Sequence, residues 1–232
     1  MKLAEELIDK VKAAANVPLK RLPLPFLVKS THPAHPVQPL TRKSVTDLIV
    51  IGISTGGPQA LAFLIPQLPS NFPIPIAIVL HMPIGYTKMY AERLDQLSDL
   101  KVVEATDGQI ISAGMVFIAP AGRHLTFKRQ GDQVVVRLVA QPFDMPHRPS
   151  VDVMFQSAAE VYGNRVLGIV MTGMGSDGKE GAAWIKSSGG SVFTESEETC
   201  IVYGMPRSVV DSGLSDRQIS LSDMAQTILE VL

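Results

Sequence analysis

Cysteine is almost missing from this chain. A single thiol, Cys200, stands among 232 residues, which excludes an intramolecular disulfide and any cysteine-rich metal site. With no base beside it in the sequence, Cys200 reads as packing. No apolar run approaches the roughly 18 residues needed to span a bilayer, and Met1 opens a charged amphipathic segment instead of a signal peptide. Charge of one sign is lacking too: a net charge of −1 gives no electrostatic reason to expect nucleic acid or an anionic membrane surface. Gly-x-x-x-x-Gly-Lys-Ser/Thr does not occur, and the first Gly-rich turn reads Gly-x-Ser-Thr-Gly-Gly, not Gly-x-Gly-x-x-Gly. No internal repeat is visible. What is plentiful is apolar surface, 46% of residues, enough for a sizeable core. These limits describe a soluble α/β protein of a reducing compartment, expected to be cytoplasmic and monomeric.

The stretch Leu48–Pro58, LIVIGISTGGP, organises the rest. A short continuous apolar run is the pattern of a buried strand in a parallel sheet. It runs into a turn where Gly52, Gly56 and Gly57 allow backbone angles that side chains forbid, and Pro58 suits a helix start. Gly52-Ile53-Ser54-Thr55-Gly56 satisfies Gly-x-Ser-x-Gly, which at a strand-to-helix turn presents the serine hydroxyl at the carboxyl end of the sheet. Ser54 is then either a nucleophile or one wall of a phosphate cradle.

Before this stretch the chain divides. Met1–Ala15 has helical periodicity, and residues 16–45 carry prolines 18, 23, 25, 33, 36 and 39, as a semi-rigid tether does. His32 and His35 in that tether read as solvated. Residues 46–232 form the domain proper. Helices are expected over Gln59–Leu68, Tyr86–Leu97, Val151–Tyr162 and Lys179–Lys186, with two more near Met205–Asp211 and Leu221–Leu232. Strands are expected over Ile74–Leu80, Lys101–Ala105, Met115–Ala119, Val166–Met171 and Ser191–Thr194. His124–Lys128 and Val134–Val139, around Gln130-Gly131-Asp132, read as a hairpin attached at one edge of the sheet. The fold class is a doubly wound, mostly parallel α/β sheet with helices on both faces and an appended antiparallel β-hairpin.

In an open α/β sheet, ligands bind beyond the carboxyl ends of the strands. Three ends carry chemistry: Ser54, His81 after Ile74–Leu80, and Asp177 in the turn Thr172–Gly178. A hydroxyl needs a base, an imidazole can serve, and a carboxylate behind the ring fixes its tautomer. The expected geometry places Ser54 Oγ against His81 Nε2, with Asp177 behind the ring. Asp107 and Asp144 compete for the acidic role. His124 and His147 read as structural or peripheral. Residue by residue the alternatives stay open, since Gly-rich turns also bind phosphates or nucleotides, and Asp177 could merely cap a helix. A non-catalytic signalling interaction domain is a third possibility, though it leaves both Gly-rich turns unexplained.

Six ordered blocks, IGISTGGP, LHMPIGYTKMYAERLD, IAPAGRH, HRPSVDVMF, MTGMGSDGKEG and CIVYGMPRSV, resemble the catalytic domain of bacterial chemotaxis protein-glutamate methylesterases, the CheB family. The resemblance extends from about Thr46 to the C-terminus. It implies a serine hydrolase that removes methyl groups from glutamate γ-methyl esters on cytoplasmic helices of methyl-accepting chemoreceptors, and in many members deamidates receptor glutamines. By motif position it gives Ser54 as nucleophile, His81 as base and Asp177 as acid. Thr55, Met174 and Gly56 fall in the substrate and oxyanion region. The implied chemistry uses neither metal nor organic cofactor. Full-length relatives carry an N-terminal receiver domain for which this chain has no room. Residues 1–45 therefore resemble the receiver's last helix and its tether, and activity independent of phosphorylation is expected.

Overall fold

The computed structural model describes residues 46–231 other than Phe143, together with Lys12. The expected helix at Met1–Ala15 and the tether to residue 45 lie outside the described residues, apart from Lys12.

Strand β1 (Leu48–Ile53) is buried along its whole length and pairs in parallel with β2 (Ile76–Leu80) on one side and β7 (Val166–Val170) on the other. Its unbroken apolar sequence follows from that position, because both faces of a central parallel strand are covered. Beyond β2 lie β4 (Met115–Ile118) and then β3 (Lys101–Glu104). Beyond β7 lie β8 (Ser191–Glu195) and the short edge strand β9 (Arg217–Ile219). All seven are parallel, in the order β3-β4-β2-β1-β7-β8-β9. From β1 the chain winds outward through β2, returns, and re-enters beside β1 as β7. The topological switch point therefore falls between β1 and β7, where such sheets open a crevice at their carboxyl edge.

The even residues of β1, Leu48 and Val50, face a core shared with helices α3 (Val151–Tyr162), α4 (Lys179–Ser187) and α5 (Met205–Asp211). The odd residues Ile49, Ile51 and Ile53 are fully buried on the other face. There α1 (Gly57–Leu64) packs through Gly57 against Ile53 and Leu80, and touches α2 (Thr87–Leu97) and α6 (Leu221–Glu230). Among the described residues no helix is long and apolar enough to cross a membrane.

The expected hairpin forms from β5 (His124–Gln130) and β6 (Gln133–Val139), antiparallel with His124 opposite Val139, and its turn glycine, Gly131, is at φ 61°. Its place differs from expectation. It forms a separate two-stranded sheet instead of extending an edge of the main one. Leu125, Phe127, Val134 and Val136 join the α3 side of the core, and Ser157 Oγ accepts from Phe127 N at 2.8 Å. The β3–β4 connection lies along the hairpin, with Ile111 N donating to Val134 O and Val136 N to Gln109 O. An alternating apolar face needs a partner, and here the partner is a helix; the strand pattern alone is blind to that choice. Strand β9, three residues without alternation, was not expected at all.

Candidate active site

At the carboxyl edge of β1 the last paired rung is Ile53 with Leu80. The next residues are Ser54 and His81, and His81 N donates to Ile53 O at 3.1 Å, so the sheet ladder continues into the site. On the other side of β1, Ser54 N donates to Thr172 O at 2.9 Å, just beyond β7. The serine turn thus sits at the switch point with its backbone held from both sides. Gly56 adopts the left-handed conformation at φ 84°, and α1 starts on it with no side-chain cap. Thr55 N and Gly56 N make no hydrogen bond among the described residues, and neither do Met174 N and Gly175 N in the facing turn. Thr55 and Met174 are exposed, Met174 at 74%.

Close approach explains the facing glycine. A Cβ on Gly173 would fall 2.8 Å from Ser54 Cβ and 2.3 Å from Met205 Sδ, so only glycine lets the two turns touch. That turn is braced from behind. Gly173 N donates to Val202 O, Gly204 N and Met205 N donate to Gly173 O, and Val202 N donates to Thr172 Oγ1. Thr172 Oγ1 in turn donates to Thr55 O at 2.9 Å. Thr172 N donates to Glu195 Oε2 at 2.9 Å, a fully buried carboxyl whose pKa is raised by burial.

His81 Nε2 lies 2.9 Å from Asp177 Oδ2, with both side chains nearly buried (11% and 7% exposed). Asp177 also accepts from Ser150 Oγ at 2.9 Å, Val151 N at 2.9 Å and Asp152 N at 3.0 Å. Its carboxylate therefore sits on the N-terminus of α3, where free N–H groups and the helix dipole favour negative charge. Burial alone would push its pKa up; the bonds from His81 and from the backbone of Asp152 and Val151 outweigh that and hold it well below the ordinary carboxylate range. Gly52 makes this seat possible. A Cβ there would fall 2.3 Å from Val151 Cγ1, so the glycine lets α3 begin directly against β1.

An ionised carboxylate only accepts, so the proton of a neutral His81 is on Nε2 and the lone pair on Nδ1. Nδ1 is buried and has no hydrogen-bond partner among the described residues, and Ser54 Oγ has none either. The expected geometry is corrected accordingly: Nε2 is taken by Asp177, and Nδ1 is the nitrogen left without a partner among the described residues.

Two further histidines border the site. His147, expected to be structural or peripheral, stacks its ring on His81 with centroids 4.2 Å apart and planes 30° from parallel. Burial, then the adjacent His81, lowers its pKa. The signal available was only its place in HRPSVD, three residues before an N-cap serine. His124, fully buried, accepts Ser150 N at Nδ1 (3.2 Å), with its Nε2 3.0 Å from Pro142 O. Burial lowers its pKa as well, in keeping with a neutral ring. Asp107 is spoken for by the hairpin, accepting from Leu138 N and pairing with Arg137, and Asp144 is exposed. Among the described residues no three His, Cys, Asp or Glu side chains gather as a metal ion would require.

Fold and site together define a parallel α/β domain whose polar machinery gathers at one switch point. The profile of the CheB methylesterase family matches residues 49–228, and the chain belongs to that family. A Myxococcus xanthus protein-glutamate methylesterase/protein-glutamine glutaminase is 45% identical over 222 residues, covering 96% of this chain and 63% of its own length. A homologue of the same name from Geobacter sulfurreducens is 45% identical over 184 residues, covering 79% of this chain and 50% of its own length. The chain thus spans between half and two thirds of these relatives. Among solved structures, the CheB methylesterase catalytic domain of Thermotoga maritima superposes with a TM-score of 0.79 at 43% identity, covering 81% of this chain and 99% of that one.

Proposed function

We propose that this domain is a protein-glutamate methylesterase working through Ser54, His81 and Asp177, with deamidation of protein glutamine as a companion activity. The observation that carries the reading is the His81–Asp177 contact at 2.9 Å, one rung past the pairing that sets Ser54 and His81 side by side. Adjacent parallel strands lie about 4.8 Å apart, which supports reading Ser54 and His81, each one residue past the last rung, as acting on one another. Unliganded catalytic hydrogen bonds are commonly long and tighten with substrate.

In this reading Nδ1 takes the Ser54 proton as Oγ bonds to the ester carbon. Asp177 stabilises the resulting imidazolium and holds the ring through Nε2. The oxyanion meets the uncommitted N–H groups of the Thr55–Gly56 and Met174–Gly175 turns, where losing one donor typically costs about 2.7–4 kcal/mol. The C–O bond to the methoxyl breaks, methanol leaves with the proton from His81, and water cleaves the acyl-enzyme by the reverse proton path. With a glutamine the leaving group is ammonia and the acyl-enzyme is the same, so one site can serve both reactions. His147, lying over the His81 ring, restricts its rotation. The substrate implied is a methylated glutamate on a cytoplasmic helix of a methyl-accepting chemoreceptor, and the family match favours this over a phosphate or nucleotide site.

The test is Ser54→Ala assayed for methanol release from receptor membranes carrying labelled methyl esters. Activity should be lost with the thermal unfolding midpoint unchanged. Substantial release by the variant would remove Ser54 from the role of nucleophile.

A further inference from the structure

The turn that carries Asp177 and the helix that receives it are fastened crosswise. Asp177, two residues before α4, accepts from Val151 N and Asp152 N at the start of α3. Asp152, in the first turn of α3, accepts at Oδ1 from Gly178 N at 2.8 Å and Gly181 N at 2.7 Å at the start of α4. Helix starts leave several N–H groups without intrahelical partners. Here each of the two helices has such groups satisfied by the carboxylate of the other. Local caps contribute little, since Gly178 has no side chain and Ser150 Oγ reaches Val153 N only at 3.5 Å. The two starts are in close contact: a Cβ on Gly181 would fall 2.6 Å from Phe155 Cβ and 2.9 Å from Asp152 Cα.

This arrangement has an electrostatic cost. Burial and the adjacent Asp177 push the Asp152 carboxyl up, so the molecule holds two acids against each other. The groups facing the pair are His81 from the end of β2, and His124 and His147 from the segments packed against α3. What the cost secures is direction. Asp177 is separated from Gly178 by one peptide bond, so anchoring the Gly178 and Gly181 N–H groups fixes where the Asp177 side chain leaves the backbone.

We infer that Asp152 is a positioning residue for the hydrolytic reaction. Its hold on the α4 start keeps Asp177 Oδ2 on His81 Nε2, and it touches neither substrate nor reacting atoms. The inference rests on the Ser54–His81–Asp177 reading above.

The test is a double-mutant cycle read by methanol release from receptor membranes with labelled methyl esters. Asp152→Ala should lower kcat by about 10²-fold with little change in KM, the size of effect a displacement of about 1 Å produces. Asp152→Asn retains the Oδ1 acceptor and should stay within about fivefold of the parent chain. In an Asp177→Ala background, Asp152→Ala should cost nothing further, because its path to the reaction is gone. A purely structural cap would instead add its loss in both backgrounds. The inference is overturned by additive losses, by an Asn variant as damaged as the Ala variant, or by an Ala variant of near-parental kcat. If Asp152→Ala does not fold, Asp152→Ser, whose shorter hydroxyl reaches at most one of the two N–H groups, takes its place. Ser54→Ala in the same assay separates the two levels. Surviving release there removes the triad and this role with it, whereas a dead Ser54→Ala beside a normal Asp152→Ala removes this role alone.

Discussion

The tautomer of His81 is decided by its neighbour. Because Asp177 can only accept, it keeps the proton on Nε2 and leaves the lone pair on Nδ1. Asp177→Asn disturbs this at one atom. If the new amide nitrogen occupies the Oδ2 place, it faces Val151 N–H and His81 Nε2, and the imidazole proton moves to Nδ1. If the amide is flipped, it meets Ser150 Oγ and Asp152 N–H instead. Turnover should fall by about 10⁴-fold, as in a serine-protease triad given the same change, and thermal unfolding should come a few degrees earlier. Stopped assays of methanol release with a melting curve check both, and turnover within about tenfold of the parent would mean Asp177 serves only α3. Ser54 and His81 were singled out because each directly follows a buried apolar run, where a polar side chain has few structural uses, and Asp177 because it lies in the Gly-rich turn beyond β7. His147 was not legible: it lies in a proline-flanked segment, and only the fold carries its ring onto His81.

Among the elements, α3 is the one on which the site is hung. It supplies two N–H groups to Asp177, a carboxylate to α4 and the packing surface for the hairpin. Its entry against β1 depends on Gly52, where Val151 Cγ1 occupies the space of a side chain. Gly52→Ala should therefore destabilise by about 1–3 kcal/mol through overpacking and push the start of α3 away from His81. Denaturant unfolding and the same esterase assay check this, and an unchanged kcat would show that α3 tolerates displacement. Strand identity and helix identity were readable from periodicity, and so was the hairpin turn. The hairpin's docking on α3, the crosswise bonds of Asp152 and Asp177, and strand β9 were not. Each depends on groups far apart in sequence, and nothing in the local pattern of Asp152 distinguishes a first-turn acid from one reaching 29 residues onward to Gly181.

For the molecule as a whole, acid sensitivity follows from a buried histidine. His124 is neutral in the folded state and uses Nδ1 to hold Ser150 N, so burial lowers its pKa from 6.5. The unfolded chain then binds more protons than the folded one below that value. The contribution of His124 is fully present above about pH 6.5 and declines as the pH falls through and below it, with His147 acting in the same sense and the raised carboxyls of Asp152 and Glu195 opposing it. Between about pH 7.5 and 5 the melting temperature of His124→Asn, which keeps an acceptor but does not titrate, should lose less on acidification than that of the parent chain. A variant with the parental slope would place the sensitivity elsewhere. The seat of Asp177 has one more consequence. A cut between β6 and α3 would leave the alcohol and the imidazole on one piece, and the carboxylate with every one of its backbone donors on the other. Neither piece alone holds all three side chains of the proposed relay. The second would nonetheless bring its acid already seated on the start of α3, so that reassembly of the two halves needs the sheet to rejoin along β1 and β7 and the hairpin to redock on α3.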